Sequence, residues 1–189
     1  MNVHRVRNVL VIVVTVMAFF ACTVMLARVI GYSSPWIALL LMFYFMAIAK
    51  LAEPIFVLRV PAALREVRDW ELAGNVHRQL GVDRFGSILR NSPLRYLNAD
   101  VYVTAGGDAL PELCRHVASG EASHFWAALL FAPYIGFLYL AGQAGVASLF
   151  LLVEIVVNVY PILHLRSVRG RLSAILAKQR TRAAHAARS

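Results

Sequence analysis

Four apolar runs near twenty residues long decide what this chain can become. They cover residues 9–30, 36–60, 125–141 and 146–165. About twenty apolar residues in a helix span the ~30 Å hydrocarbon core of a bilayer. In lipid, a backbone must satisfy its own polar groups, and a helix does so within one segment. Four such runs in a chain of only 189 residues leave little room for a soluble core. The composition agrees, with 60% hydrophobic residues and a mean hydropathy of +0.65. Nineteen Lys and Arg against ten Asp and Glu give a strongly basic balance. Such a balance suits nucleic acid or an anionic membrane surface. The apolar runs decide for the membrane, and no nucleic-acid partner is expected.

The order of elements follows from turn and charge signals. Arg5 and Arg7 precede the first run as they would in a signal peptide. The apolar part is too long for that, and no small-x-small cleavage site follows, so an uncleaved helix is expected. Residues 31–35 form a turn, with Pro35 suited to start the next helix. Lys50 and Glu53 share a face of the second run, and Pro54 follows. Residues 61–120 are polar and arginine-studded. Helical spacing covers 70–80, Gly81 suits a helix C-cap, and 82–89 suits a second short helix. Residues 92–98 read as a loop and 104–108 as a turn. Asp108 suits the N-cap of a helix through Arg115. A short charged section of this kind is expected to lie against the membrane face. Residues 141–145 form an uncharged turn, and residues 166–189 form a basic tail, a frayed helix or a disordered one.

The N-terminus, the middle section and the tail are basic, whereas the connections at 31–34 and 141–145 carry no charge. Positive-inside bias puts both termini and the middle section in the cytoplasm. The expected architecture is all-α. It is a single membrane domain over 1–189, a four-span bundle of a cell inner (plasma) membrane with a cytoplasmic interfacial helical section between spans two and three. Cys22 sits in an apolar run and Cys114 in the charged section, and neither belongs to a metal-binding spacing, so neither disulfide nor metal is expected.

This topology puts Glu53, Glu121, His124, Glu154, Asn158, His164 and Arg166 in or near one leaflet. A charge inside a bilayer costs roughly 2.5–3.5 kcal/mol on insertion scales and usually faces a bundle interior or water. Their common depth points to one site. Glu121 and His124, three apart on a helix, share a face. A carboxylate that fixes an imidazole tautomer leaves the other nitrogen able to take a hydroxyl proton during attack on an acyl group. The bland alternative is an interfacial His and a Glu favoured by a helix N-terminus. One Glu-x-x-His pair is half of a di-iron signature, and His116 with Glu121 has the H-x4-acid spacing of glycerolipid acyltransferases. The Glu-x-x-His pair occurs once, with Glu53, Glu154 and His164 as candidate further ligands. The acyltransferase spacing ends in Glu rather than Asp and lacks a later companion motif. Glu154 and Asn158, four apart, line a site or tie helices together. Arg166, Arg169 and Arg171 suit a phosphate on a lipid or an acyl donor, or serve as positive-inside anchors.

At this point the chain resembles the glycosyl-4,4'-diaponeurosporenoate acyltransferases. The likeness rests on Trp70-Glu-x-x-Gly74 with Leu80-Gly-Val82, Ser92-Pro-Leu-Arg-x-Leu-Asn98 and Glu121-x-x-His124-x-Trp126. It continues through Asn158-Val-Tyr-Pro161 and Arg166-x-x-Arg169-x-Arg171-Leu172. The resemblance implies acyl transfer to a sugar hydroxyl of a glycosylated carotenoid. An acyl donor and a sugar-lipid acceptor would meet at the membrane face. His124 becomes the expected general base with Glu121 as its orienter. Asn158, Arg166, Arg169, Arg171, Glu53 and Glu154 become the expected substrate-binding residues. No bound cofactor is expected; the co-substrate is an anionic acyl donor, namely acyl-CoA, acyl carrier protein or lipid. Expected partners are membrane lipids, that donor, and a lipid or glycolipid acceptor. A non-catalytic membrane partner or assembly factor, and a lipid-binding or transport module, are the competing functions.

Overall fold

The computed structural model describes residues 3–52, 59–68, 71, 75–93 and 110–186. Their regular structure is helical, with no strand among them. Glu53 lies outside the described residues, as do Asp108, the 104–108 turn and most of the 92–98 loop. The chain divides into two compact units, Met1–Arg59 with Ala122–Val159, and Val60–Glu121 with Tyr160–Ser189.

The first unit is built from α1 (Val3–Ile30), α2 (Pro35–Ala52), the second part of α6 (Leu110–Leu140), α7 (Ala144–Glu154) and a π-turn (Ile155–Val159). Gly31 ends α1 at φ +90°, its amide bonded to the Ala27 carbonyl at 2.9 Å. Pro35 then opens α2, where its missing N–H costs nothing. The α1–α2 hairpin closes on Tyr44, whose ring stacks on Phe19 at 3.8 Å and whose hydroxyl donates to the Val16 carbonyl at 2.8 Å. The uncharged turn after α6 has the geometry of a Schellman cap. Gly142 adopts φ +74° and its amide bonds Tyr139 O at 3.1 Å, while the Gln143 amide bonds Leu138 O at 2.9 Å. Ala38, Met42, Phe131, Ile135, Leu138, Ala147 and Phe150 form the buried core of this unit.

The second unit holds α3 (Ala62–Arg65), α4 (Asn75–Gln79), α5 (Val82–Asn91), the first part of α6, and α8 (Tyr160–Ala186). Gly81, at φ +72°, ends α4 and leads directly into α5, as its position predicts. Val117, Leu165 and Leu172 form the core, with Leu110, Leu113, Cys114 and Val168 packed on it. α5 sits on one stripe of α8. The Tyr160 hydroxyl donates to Leu80 O at 2.9 Å, Phe85 packs on the Tyr160 ring, and Arg171 pairs with Asp83 at 3.2 Å. Gly86 faces His164 so closely that a Cβ there would lie 2.4 Å from the imidazole.

Among the described residues, three helices are long and apolar enough to cross a membrane: Val6–Ile30, Leu110–Leu140 and Ala144–Gln179. A shorter apolar helix covers Pro35–Ala49. With the apolar composition, they make the chain a membrane protein. Helix limits differ from the pattern of the runs in three places. The third run does not start a helix at 125, because α6 already begins at Leu110. Nothing between 116 and 124 breaks a helix, and Gly120 is tolerated because it lets Leu165 Cδ1 approach to 3.2 Å of where a Cβ would sit. The helix of the fourth run passes beyond residue 165, since the Ala-rich tail continues α8 to Ala186. The second run is helical to Ala52 but not at 59–61, where Pro61 removes a donor.

Candidate active site

Two polar groups are buried on α6 and on the π-turn and helices that follow it, one group in each unit. The first is a hydrogen-bonded chain, His124–Asn158–Glu154. Asn158 is completely buried and lies in the π-turn, and Glu154 is buried one turn before it. The Asn158 Nδ2 donates to both oxygens of Glu154, at 2.9 and 3.0 Å. A carboxylate oxygen accepts, so the amide must present its nitrogen there and its oxygen to the other side. That oxygen lies 3.0 Å from Nδ1 of His124. An amide oxygen cannot donate, so Nδ1 carries the proton and the ring's lone pair is on Nε2. His124 is half-buried.

Asn158 presents its amide from within the π-turn. A π-turn inserts one residue into a helical ladder and shifts the faces before and after it by about 100° relative to an unbroken α-helix. Val156, Val157 and Val159 are β-branched and poor α-helix formers, so the local sequence resists the wider turn weakly. Trp126, two residues past His124, donates from its indole to the Arg59 carbonyl at 3.2 Å.

The second group, in the other unit, is an ion-pair network. Glu121, 1% exposed, accepts a two-pronged bond from Arg169, with Nε to Oε2 at 2.7 Å and Nη2 to Oε1 at 3.1 Å. Arg166 Nη1 also reaches Glu121 Oε1, at 3.4 Å. Arg166 grips Glu71 with Nε to Oε2 at 2.8 Å and Nη2 to Oε1 at 3.2 Å. It also donates to the backbone carbonyls of Leu64 and Glu66. A guanidinium has five N–H donors, and these contacts use all five. Two arginines and two carboxylates balance in charge, which makes their burial tolerable. Arg171 lies on the surface, where it pairs with Asp83 at 3.2 Å and also donates to the buried Ser167 hydroxyl.

The sequence-predicted residues are therefore distributed between two groups. His124, Asn158 and Glu154 are bonded in series, and Glu121, Arg166 and Arg169 are bonded in another set. The i, i+3 spacing predicts Glu121 as the group that orients His124. In the fold, the bond at His124 Nδ1 goes to Asn158, while both oxygens of Glu121 accept from arginines. Arg171 stands apart with Asp83, and Glu53 lies outside the described residues. Glu71 was not expected as a site residue. Its one signal is its place in the Trp70-Glu-x-x-Gly74 stretch. Among the described residues, no group of three or more His, Cys, Asp and Glu is placed to hold a metal ion.

Comparison with known proteins finds a family match. Residues 61–178 match the family described as glycosyl-4,4'-diaponeurosporenoate acyltransferase (CrtO). No curated protein and no solved structure matches the chain. The matched stretch is more than half of the chain and includes both polar groups, Glu71 among them. The chain belongs to the glycosyl-4,4'-diaponeurosporenoate acyltransferase family, and is an acyltransferase on that ground.

Proposed function

We propose that the protein moves a fatty acyl group from an activated donor to a hydroxyl of a glycolipid or glycosylated isoprenoid in the membrane, with His124 as general base. The observation that carries this is the His124–Asn158–Glu154 chain. A buried carboxylate fixes an amide, and the amide fixes the imidazole with its basic nitrogen at Nε2. A His held by a polar partner at Nδ1 is the arrangement used across acyl-transferring sites. In the transfer, Nε2 takes the acceptor hydroxyl proton as the oxygen attacks the acyl carbonyl. The tetrahedral species collapses, the bond to the donor breaks, and the imidazolium returns its proton to the leaving group. No net redox change occurs.

In this scheme Asn158 and Glu154 orient the base, the part that sequence spacing assigns to Glu121. Glu121 is a positioning residue that neutralises Arg169 and shares Arg166 with Glu71. Arg166 has spent its donors within the protein, so donor binding is assigned to Arg169 and Arg171. Arg169 spends two of its five N–H donors on Glu121. The acceptor class follows the family's name, a glycosylated carotenoid acid, and the donor is an acyl thioester or acyl lipid rather than a bound cofactor. We further infer four spans in a plasma membrane, as one membrane domain, with residues 61–120 and both termini at the cytoplasmic face. The basic excess of those segments supports this.

The test is His124→Ala in membranes supplied with a radiolabelled acyl donor. A 10²- to 10⁴-fold loss of label in ester-linked lipid, at unchanged protein abundance, is expected for loss of a general base. Unchanged ester formation would exclude His124 as the base. Loss of a partner complex with an intact lipid profile would favour an assembly factor.

A further inference from the structure

The distal half of α8 is not accounted for by either polar group. Among the described side chains of that helix Leu172 is the last one buried, and none from Ser173 to His185 is. A helix of about fourteen residues without packing is marginal in water, even when rich in alanine. This one also carries a pattern. Ile175, Lys178, Arg182 and His185 follow each other at spacings of three, four and three, so they form one exposed stripe. No ion pair of Lys178 or Arg182 occurs among the described residues, in contrast to Arg166, Arg169 and Arg171 on the same helix. The last 35 residues hold seven Lys and Arg and no Asp or Glu.

A basic stripe next to a membrane could face anionic headgroups or an acidic protein, and the helix length favours the protein. The apolar run ends at Leu165, and α8 continues unbroken to Ala186. At 1.5 Å per residue, Lys178 to His185 lie about 20–30 Å further along the axis. Attraction to a charged lipid surface fades within a Debye length, about 8 Å at physiological salt. On the topology proposed above, a straight helix carries the stripe into the cytoplasm, beyond the reach of the headgroups.

We propose that this stripe docks a small acidic acyl-carrying protein, and that the enzyme takes its acyl group as that protein's thioester. The proposal rests on the acyltransferase reading and names its donor class. Charge complementarity carries it: an acidic helix laid along the stripe would pair with Lys178 and Arg182 around Ile175. In the reaction, the thioester C–S bond breaks and the ester C–O bond forms. The hydroxyl proton, taken by His124, ends on the carrier's thiol. Docking through charges on a protruding helix raises the encounter rate and makes it sensitive to salt.

The experiment uses the full chain in nanodiscs of phosphatidylcholine, which removes anionic lipid. Binding of fluorescent holo-acyl carrier protein is read by anisotropy. Acyl transfer into lipid-extractable ester is read with the same acyl chain offered as carrier thioester or as CoA thioester. Lys178→Glu with Arg182→Glu should weaken carrier binding at least tenfold and slow transfer from the carrier by a similar factor. Transfer from CoA should be unchanged. Lys178→Arg with Arg182→Lys should retain binding. Carrier binding unaffected by charge reversal, or equal losses with both donors, would overturn the docking proposal. His124-dependent transfer from CoA without carrier binding would overturn it while leaving the acyltransferase reading intact. Charge-dependent carrier binding without ester from either donor would support the docking surface and count against the acyltransferase reading.

Discussion

The strongest single-residue statement concerns Arg166. Its five donors hold two carboxylates and two backbone carbonyls, so no smaller cation can replace it. Arg166→Ala leaves Glu71 and the nearly inaccessible Glu121 short of a partner. Breaking one side of a buried pair costs about 3–5 kcal/mol. A large fall in the thermal midpoint in detergent is expected for Ala, and Lys should recover only part of it; full recovery by Lys would show that charge alone matters there. Gly86 makes a second prediction. Gly86→Ala forces the His164 ring out of its seat, at a cost of about 1–3 kcal/mol. Gly86→Ala on a His164→Ala background should cost much less, and the two single changes should therefore not add in a thermal-melt cycle. His124 was legible as a candidate base from residue type and depth. Its partner was not, because a helix offers a side chain neighbours at i+3 and i+4 and also across helices, and sequence spacing reveals only the first kind. Asn158, 34 residues away, is the second kind. The same limit hid Glu71, whose partner Arg166 is 95 residues on.

At the scale of elements, the π-turn is the feature that sequence could not supply. Periodicity assigns residues 146–165 to a helix and cannot distinguish an α-helix from one with a single wider turn. Glu154 lies just before the turn and Asn158 within it. Deleting Val156 should convert the turn to regular α-helix and shift Asn158 against Glu154 and His124, its two partners in the same unit. Acyl transfer is then expected to fall at least 100-fold, while the far-UV helical signal persists. A deletion variant with wild-type activity would show that the register is not used. Turns were far more legible. Gly31, Gly81 and Gly142 take positive φ where Gly-rich connections predict chain reversal or helix ends. Helix lengths were less so: α6 and α8 run past the apolar residues because polar stretches without breakers stay helical.

For the molecule as a whole, apolar composition and run length predict helices that can cross a membrane, and such helices are present. The side of the membrane is a separate inference from charge. It predicts that Gln143→Cys in a cysteine-free background reacts with an impermeant maleimide from outside intact cells, and that Lys178→Cys reacts only after permeabilisation. The opposite pattern would invert the topology and remove the cytoplasmic donor from consideration. Above both stands the claim that His124, Asn158 and Glu154 act as one unit in acyl transfer. The most direct test is a cycle of acyl-transfer rates for His124→Ala, Asn158→Ala and the double variant, each checked for folded abundance. Residues that act through one base are strongly non-additive. The double variant should be no slower than His124→Ala alone, because Asn158 works only through the imidazole. If the two losses multiply, Asn158 acts independently of His124, and the hydrogen-bonded chain is not the catalytic unit.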